Sequence, residues 1–349
     1  MSELSGRPNV LKRLNSDIIK NALKNLESAT KAELVQETGI SLTTVGVILS
    51  KLVEDGEVKN QGYDESSGGR RAERYTLNLN YSLAAALCVD NKNIDYAVGN
   101  SAGEILGEGR VEINQTKQIN SVEEVLNFLI DKYDSIKCIG IGVPAAVANG
   151  RLYTGTKLEE WHNFNVQDYL EKKYNLSVIM ENDLNAIAVG FANNHIKSDK
   201  LSSADFLNMI YISFTNNGIG SGIIANGMLI RGFSNYAGEI SFLQLGNGDT
   251  FAATVTKEHT RDEYANAIAI AIGNLSFIVN PEYVVIGGDA FEARNLDLIN
   301  EYCSKYIPEN VRPKIIHAED YREDYISGIL HLTVEEMNSG IRLVKTKRL

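Results

Sequence analysis

Cysteine is scarce in this sequence. The three present, Cys88, Cys138 and Cys303, are far apart and odd in number. They offer no disulfide framework and fit a reducing compartment. No apolar run reaches the roughly 20 residues that a membrane helix needs. The opening segment, MSELSGRPNVLKRLN, has basic residues but no apolar signal core behind them. A cytoplasmic protein with no membrane partner is the expectation. Surplus positive charge is missing too. The formal net charge is -11, so the whole molecule is not a general polyanion binder. DNA binding would need basic groups concentrated on one face. No strict repeat, pronounced low-complexity segment, dinucleotide fingerprint or P-loop occurs. What remains is a chain of 349 residues, long enough for two or three domains with ample cores.

The first 79 residues read as a small DNA-binding unit. Ile18, Ile19, Ala22, Leu23 and Leu26 recur at spacings of three and four, which predicts a helix over about Ser16–Leu26. Thr30 and Glu33 form a possible capping box for a second helix. Gly39 suits a sharp turn, and Ser41 can cap a third helix that turns Val45, Ile48, Leu49 and Leu52 inward. Such packing leaves Ser41, Leu42, Thr43 and Thr44 at the end a helix-turn-helix places in the major groove. Short hydroxyls can bond phosphates or base edges, and Leu42 can meet a thymine methyl. Lys51, further along, suits a phosphate. A hairpin should follow, with Glu57–Lys59 going out and Arg74–Leu79 returning. Its tip, SGGRRAER, holds Gly68 and Gly69 for close backbone approach and Arg70, Arg71 and Arg74 for phosphates or a narrow minor groove. The order of helix, glycine turn, helix and basic wing predicts a winged helix-turn-helix on double-stranded operator DNA. A protein-interaction or linker module is the competing reading.

Beyond Asn80 the pattern alternates between strands and helices, which argues for α/β architecture. YSLAAALCVD, SIKCIGIGV, LSVIMEN, FLNMIYISF and EYVVIGG read as buried strands. Residues 121–133, VQDYLEKKYN, the run after Asn182, residues 261–279 and YISGILHLTVEEMNSG read as helices. The tandem glycine turns suggest a cleft between two lobes. LVKTKRL reads as a positive, solvated end.

In this order the chain resembles transcriptional regulators of the ROK family, whose name joins repressor, open reading frame and kinase. The resemblance rests on NSDIIKNAL, GISLTTV, GGRR, GIGVPAAV, Trp161, ENDLNA at 181–186, GIGSGIIANGMLIRG at 218–232, YAGEI at 236–240 and NPEYVVIGGD at 280–289. It implies a winged helix-turn-helix over 1–79, followed by an actin-like, two-lobed sugar-kinase fold. The first lobe would span 80–195 and be completed by a C-terminal helix over 321–349. The second would span 196–320 and take part in oligomerisation. A homodimer or a dimer-based tetramer is implied, with a sugar or sugar derivative as effector.

The departures from the family are as informative. ROK kinases carry an Asp-x-Gly-Gly-Thr phosphate loop after the first strand, whereas Asp90 here runs into NKNIDYAVG. Backbone amides that would cradle a phosphate are lost. Gly218, Gly220 and Gly222 remain in the second loop, where glycine can persist for structural reasons. Asp183 holds the position of the family's catalytic base. It has three readings: a proton acceptor in phosphoryl transfer, an acceptor for two sugar hydroxyls, or a helix cap. Asn182 divides in the same way. Glu239 is a second expected sugar contact. The family's following histidine is replaced by Phe242, and its zinc-binding cysteines are absent, so no metal and no cofactor are expected. His259 alone reads as a core or surface polar residue. Trp161 and Phe242 could face a ligand or pack in the core. The expectation is a non-catalytic, sugar-responsive repressor of carbohydrate-related genes with Asn182, Asp183 and Glu239 as its ligand contacts. A bifunctional kinase-regulator and a ligand-independent DNA-binding protein are the alternatives.

Overall fold

The structure, a computed structural model, describes residues 7–63, 72–114, 117–153, 158–196, 207–215, 218–246 and 248–339. The amino-terminal part opens with α1 (Arg7–Leu26), β1 (Ala29–Thr30), α2 (Lys31–Thr38) and α3 (Leu42–Glu54). A hairpin of β2 (Val58–Tyr63) and β3 (Glu73–Leu77) follows, and β1 pairs with β3 to make a three-stranded sheet. Local chemistry accounts for the helix ends. Glu33 donates its amide to the Thr30 hydroxyl at 3.3 Å, and the Glu33 carboxylate accepts the Thr30 amide at 2.7 Å. That reciprocal cap satisfies two amides that α2 leaves unpaired. Gly39 ends α2 at φ +69°, where a side chain would be strained. Ser41 caps α3 by accepting the Thr44 amide at 3.3 Å. Ile19, Leu23, Leu34, Val45, Leu49 and Val58 close a separate small core. Helix α1 starts well before Ser16, and Val10, Leu11, Lys12 and Arg13 in its early part are exposed, so they carry no buried stripe to read.

The first large sheet is built from β4 (Leu83–Val89), β5 (Asn93–Gly99), β6 (Ile105–Glu112), β7 (Ile136–Val143) and β10 (Ser177–Asn182). Helix α4 (Gln118–Lys132) precedes β7. A two-stranded ribbon, β8 (Val147–Ala148) with β9 (Arg151–Leu152), and helix α5 (Val166–Tyr174) precede β10. The strand order is β10-β7-β4-β5-β6, with β4, β7 and β10 parallel and β5 and β6 antiparallel. Helix α6 (Asp183–Ile196) leaves the end of β10 directly.

The second sheet uses β11 (Met209–Thr215), β12 (Gly218–Ala225), β13 (Met228–Leu229), β14 (Tyr283–Gly287) and β15 (Lys314–His317). Helices α7 (Phe251–Thr256) and α8 (Arg261–Val279) precede β14, and α9 (Leu296–Tyr306) precedes β15. Its order, β13-β12-β11-β14-β15, follows the same plan as the first sheet: a parallel half and an antiparallel half. Helix α10 (Arg322–Asn338) closes the described chain.

Apolar burial divides into layers. One face of the first sheet packs on α4, α5 and Trp161, and one face of the second on α7, α8 and α9. Between the sheets lie α6 and α10, which contribute Ala186, Phe191, Tyr325, Ile329 and Leu330 to a shared core with Ala84, Ala86, Tyr211 and Val285. The two helices approach closely at Gly190 and Gly328. A Cβ on Gly190 would fall on the Asp324 carbonyl, and one on Gly328 would fall on the Ala186 carbonyl. Glycine is required there because backbone, not a movable side chain, fills the space.

Candidate functional site

A cleft of about 580 Å³ opens between the two sheets, within the usual size range for small-molecule sites. Its walls come from the β4–β5 turn, the turn after β7, the start of α6, the β11–β12 ends, the segment around Glu239 and the start of α10.

Asp183 stands at the junction of β10 and α6. Its carboxylate accepts the Leu184 amide at 2.8 Å. Burial between the lobes is the main cause that lifts its pKa to about 7, and the neighbouring Glu239 carboxylate pushes in the same direction. The side chain still borders the open cleft, so it is half-buried by area though deeply surrounded. Asn182 lines the cleft as well, but its polar atoms serve the fold. Its amide donates to the Ala145 carbonyl at 3.1 Å, which anchors the turn after β7. Its carbonyl oxygen accepts the Leu184 and Asn185 amides at 3.0 and 3.2 Å, capping α6. The two caps leave Asp183 aimed at the cleft.

Glu239 is presented by a strained corner. Gly238 has φ +95° and its carbonyl accepts both the amide and the hydroxyl of Ser221 at 2.9 Å. Burial raises the Glu239 carboxyl above its ordinary range. The same segment also bridges the lobes. Arg231 pairs with Glu181 at 2.7 Å, and Asn235 donates to the Val147 carbonyl at 2.6 Å.

At the β4–β5 end the turn is tight. One oxygen of Asp90 accepts the amides of Lys92 at 2.5 Å and Asn93 at 2.7 Å, while the Asp90 amide donates to the Asn93 carbonyl at 2.9 Å. The amides that could face an incoming anion already hold a carboxylate from their own turn. In the second glycine loop, a Cβ on Gly220 would strike the Leu184 side chain and one on Gly222 the Leu184 carbonyl. These glycines let α6 lie on β12, which is a packing role.

Trp161 is fully buried in the first-lobe core, away from the cleft. Phe242 is 67% exposed on the surface and does not line the cleft. His259 bonds the Val255 carbonyl at 3.0 Å and lies against Tyr264. Sequence reasoning missed Ser213 and Tyr325, both at the cleft floor. One signal for Tyr325 was present: Gly140 and Gly142 alternate in β7, and a Cβ at Gly142 would lie 2.6 Å from the Tyr325 hydroxyl oxygen. Two glycines on one face of a buried strand make room for something bulky against it.

In the amino-terminal module, Leu42 is 60% exposed and Thr43 is also exposed at the start of α3. Ser41 and Thr44 are bonded to each other through their hydroxyls at 2.9 Å. Val47, one turn along and unremarked in the sequence, is 60% exposed beside them. Lys51 is engaged by Asp55 at 2.7 Å and Glu54 at 3.1 Å. Arg74 turns inward: it donates to the Ser28 carbonyl at 3.0 Å and pairs with Glu33 at 3.2 Å. Gly68, Gly69, Arg70 and Arg71 lie outside the described residues, as does the chain after Ser339. No helix among the described residues is long and apolar enough to cross a membrane.

Residues 86–254 match the ROK family model. The two-lobed part has the ROK fold. A xylose repressor from Caldicellulosiruptor bescii is 24% identical over an alignment covering 96% of this chain and 98% of its own. Among solved structures, a ROK family transcriptional regulator described as a homolog of E. coli MLC protein superposes with a TM-score of 0.64 at 15% identity. That alignment covers 93% of this chain and 99% of the regulator. A ROK hexokinase from Thermus thermophilus superposes with a TM-score of 0.59 at 18% identity, covering 73% of this chain and 99% of the enzyme.

Proposed function

We propose that this protein is a sequence-specific regulator that binds duplex DNA through a winged helix-turn-helix at residues 1–79 and represses carbohydrate-related genes. Its ROK-fold part binds a sugar or sugar derivative and does not transfer phosphate. It works as a homodimer or a dimer-based tetramer, because one small reading head contacts few bases and two can recognise separated half-sites. The observation that carries this reading is coverage. By superposition the transcriptional regulator matches 93% of the chain, whereas the hexokinase matches 73%. The extra length is what a kinase does without. The exposed end of α3, with Leu42, Thr43 and Val47, is the surface expected to enter the major groove. The basic tip with Gly69, Arg70 and Arg71 is the expected backbone contact.

The non-catalytic part of the reading is supported by the Asp90 turn. A phosphate needs amides that are pointed at it and otherwise unsatisfied, and the Lys92 and Asn93 amides are occupied. The opposing reading, a bifunctional sugar kinase and regulator, is favoured by Asp183, whose acidity near 7 suits a general base.

Two measurements decide. A selection from random duplexes should return a preferred sequence for the full-length protein. Replacing Arg70 and Arg71 together should weaken binding across sequences and flatten its salt dependence. A folded protein with no preferred duplex would reject the DNA reading. Incubation with magnesium, ATP and a panel of hexoses and hexosamines should give no phosphate transfer. Turnover abolished in Asp183→Asn would make the bifunctional reading the correct one.

A further inference from the structure

Two hydroxyls on the cleft floor have no hydrogen-bond partner among the described residues: Ser213 Oγ and Tyr325 Oη. Their residues are 1% and 7% exposed, and both line the cleft. Burying a hydroxyl without a partner costs on the order of 1–3 kcal/mol. Two residues of one cleft lining therefore carry unused hydrogen-bonding capacity.

Both hydroxyl oxygens are shielded from solvent, although their residues line the cleft. Ser213 stands opposite Gly220 in β12 and Gly287 in β14, so no side chain from its own sheet covers it on either side. Tyr325 is held rigidly, with its ring laid over Gly142. The titratable groups whose charge bears on it are Cys88, Asp183, Asp90 and Tyr321. Burial keeps the Cys88 thiol protonated, which makes it a poor acceptor.

We propose that Tyr325 and Ser213 are ligand contacts, and that with Asp183 and Glu239 they bind a neutral, polyhydroxylated ligand of carbohydrate size. The inference rests on the effector reading above and deepens it. Ligand hydroxyls donate to the Asp183 and Glu239 carboxylates, while ligand oxygens accept from Tyr325 and Ser213. A ligand hydroxyl group can do both at once, which is why a polyol satisfies a site with acceptors on one wall and donors on the floor. An anionic ligand is disfavoured, because five carboxylates, Asp90, Asp95, Asp183, Glu239 and Asp289, border the same space against two cations, Lys92 and Arg322.

The test uses full-length protein and four probes: D-xylose, D-glucose, N-acetyl-D-glucosamine and D-glucose 6-phosphate. Binding is followed by calorimetry and by thermal stability. At least one neutral sugar should bind wild type, and Tyr325→Phe and Ser213→Ala should each weaken it about 5- to 10-fold, the worth of one buried hydrogen bond. The unliganded variants should melt at or above the wild-type temperature, because each loses an unpaired buried hydroxyl. Unchanged affinity in both variants, with binding lost in Asp183→Ala, would overturn this inference and leave the effector reading standing. Tighter binding of glucose 6-phosphate than of any neutral sugar would overturn the choice of ligand class. Failure of all four probes to bind wild type would reject both readings. If Tyr325→Phe does not fold, Ser213→Ala decides alone.

Discussion

Asn338, in the last turn of α10, donates its side-chain amide to the Ser101 carbonyl at 2.9 Å. Ser101 in turn bonds the Leu79 carbonyl through its amide at 3.0 Å and its hydroxyl at 3.1 Å. The adjacent Asn78 reaches back to the Gly56 carbonyl at 2.9 Å, two residues beyond α3. Helix α10 therefore touches the cleft with Tyr325 at one end and the connection to the amino-terminal module at the other. A rigid helix joined at both ends is a physical route for coupling, provided the ligand has different affinities for two states. Asn338→Ala is expected to leave sugar affinity and unliganded operator affinity intact. It should shrink the sugar-induced change in operator affinity by about 3-fold or more, in the range of 0.5–2 kcal/mol typical of such positions. Operator titrations with and without sugar check it, and an undiminished response would remove α10 from the route.

The crossing of α6 and α10 gives a stability prediction. Gly190→Ala or Gly328→Ala places a methyl against backbone, so the helices must separate. Each should cost about 1–3 kcal/mol by overpacking. Denaturant unfolding measures this. A variant as stable as wild type would show that the helix contact yields more readily than its geometry implies.

Asp183 gives a pH prediction. Its folded-state pKa is raised from the ordinary 3.8 to about 7. The proton is held more tightly in the folded chain, so the stabilisation is complete below about 4 and is lost as pH rises through 7. Asp183→Asn removes that loss. The variant should gain stability over wild type between pH 5 and 8, by on the order of 1 kcal/mol once solvent at the cleft is allowed for. Sugar that accepts no proton from Asp183 should bind wild type better above pH 7 than below, because the ionised carboxylate is the stronger acceptor. Parallel stability curves for wild type and variant across that range would reject the assignment.

The exposed face of α3 predicts how bases are read. Leu42 and Val47 present methyl groups, and no arginine or amide side chain opens this helix. Thymine methyls are the matching feature of the major groove. Once a preferred duplex is known, replacing its thymines by deoxyuridine should weaken binding about 5-fold or more at the positions under α3. Leu42→Ala should lose that discrimination. Equal affinity for thymine and uracil sites would exclude methyl readout while leaving DNA binding intact.

Much of this architecture was legible because its signals are local. The Thr30–Glu33 box, Gly39 and the Ser41 cap announce α2 and α3 within a few residues. Strand β7 and helix α8 show as long buried patterns. What stayed hidden depends on contacts distant in sequence. Arg74 reads as a free wing cation until Ser28 and Glu33 are brought beside it. Asn182 reads as a ligand contact until the Ala145 turn and the α6 amides claim its polar atoms. Tyr325 lies far along the chain from Gly142, so the fit between them is visible only once the lobes are assembled. The matching strand plans of the two sheets left no strict repeat in the sequence, since packing constrains hydropathy far more than identity.

The closed turn at Asp90 carries a consequence for how such a chain can change over generations. Its carboxylate and two backbone amides satisfy one another, so the turn is self-sufficient. Glycine at Asn91 or Lys92 would slacken the turn without lengthening it. A longer loop would strip Asp90 of its amides before any phosphate could replace them. Opening this turn into a phosphate cradle would first cost the chain those hydrogen bonds. For a protein of the proposed role, that cost favours keeping the turn closed and leaves the cleft to be shaped by its ligand.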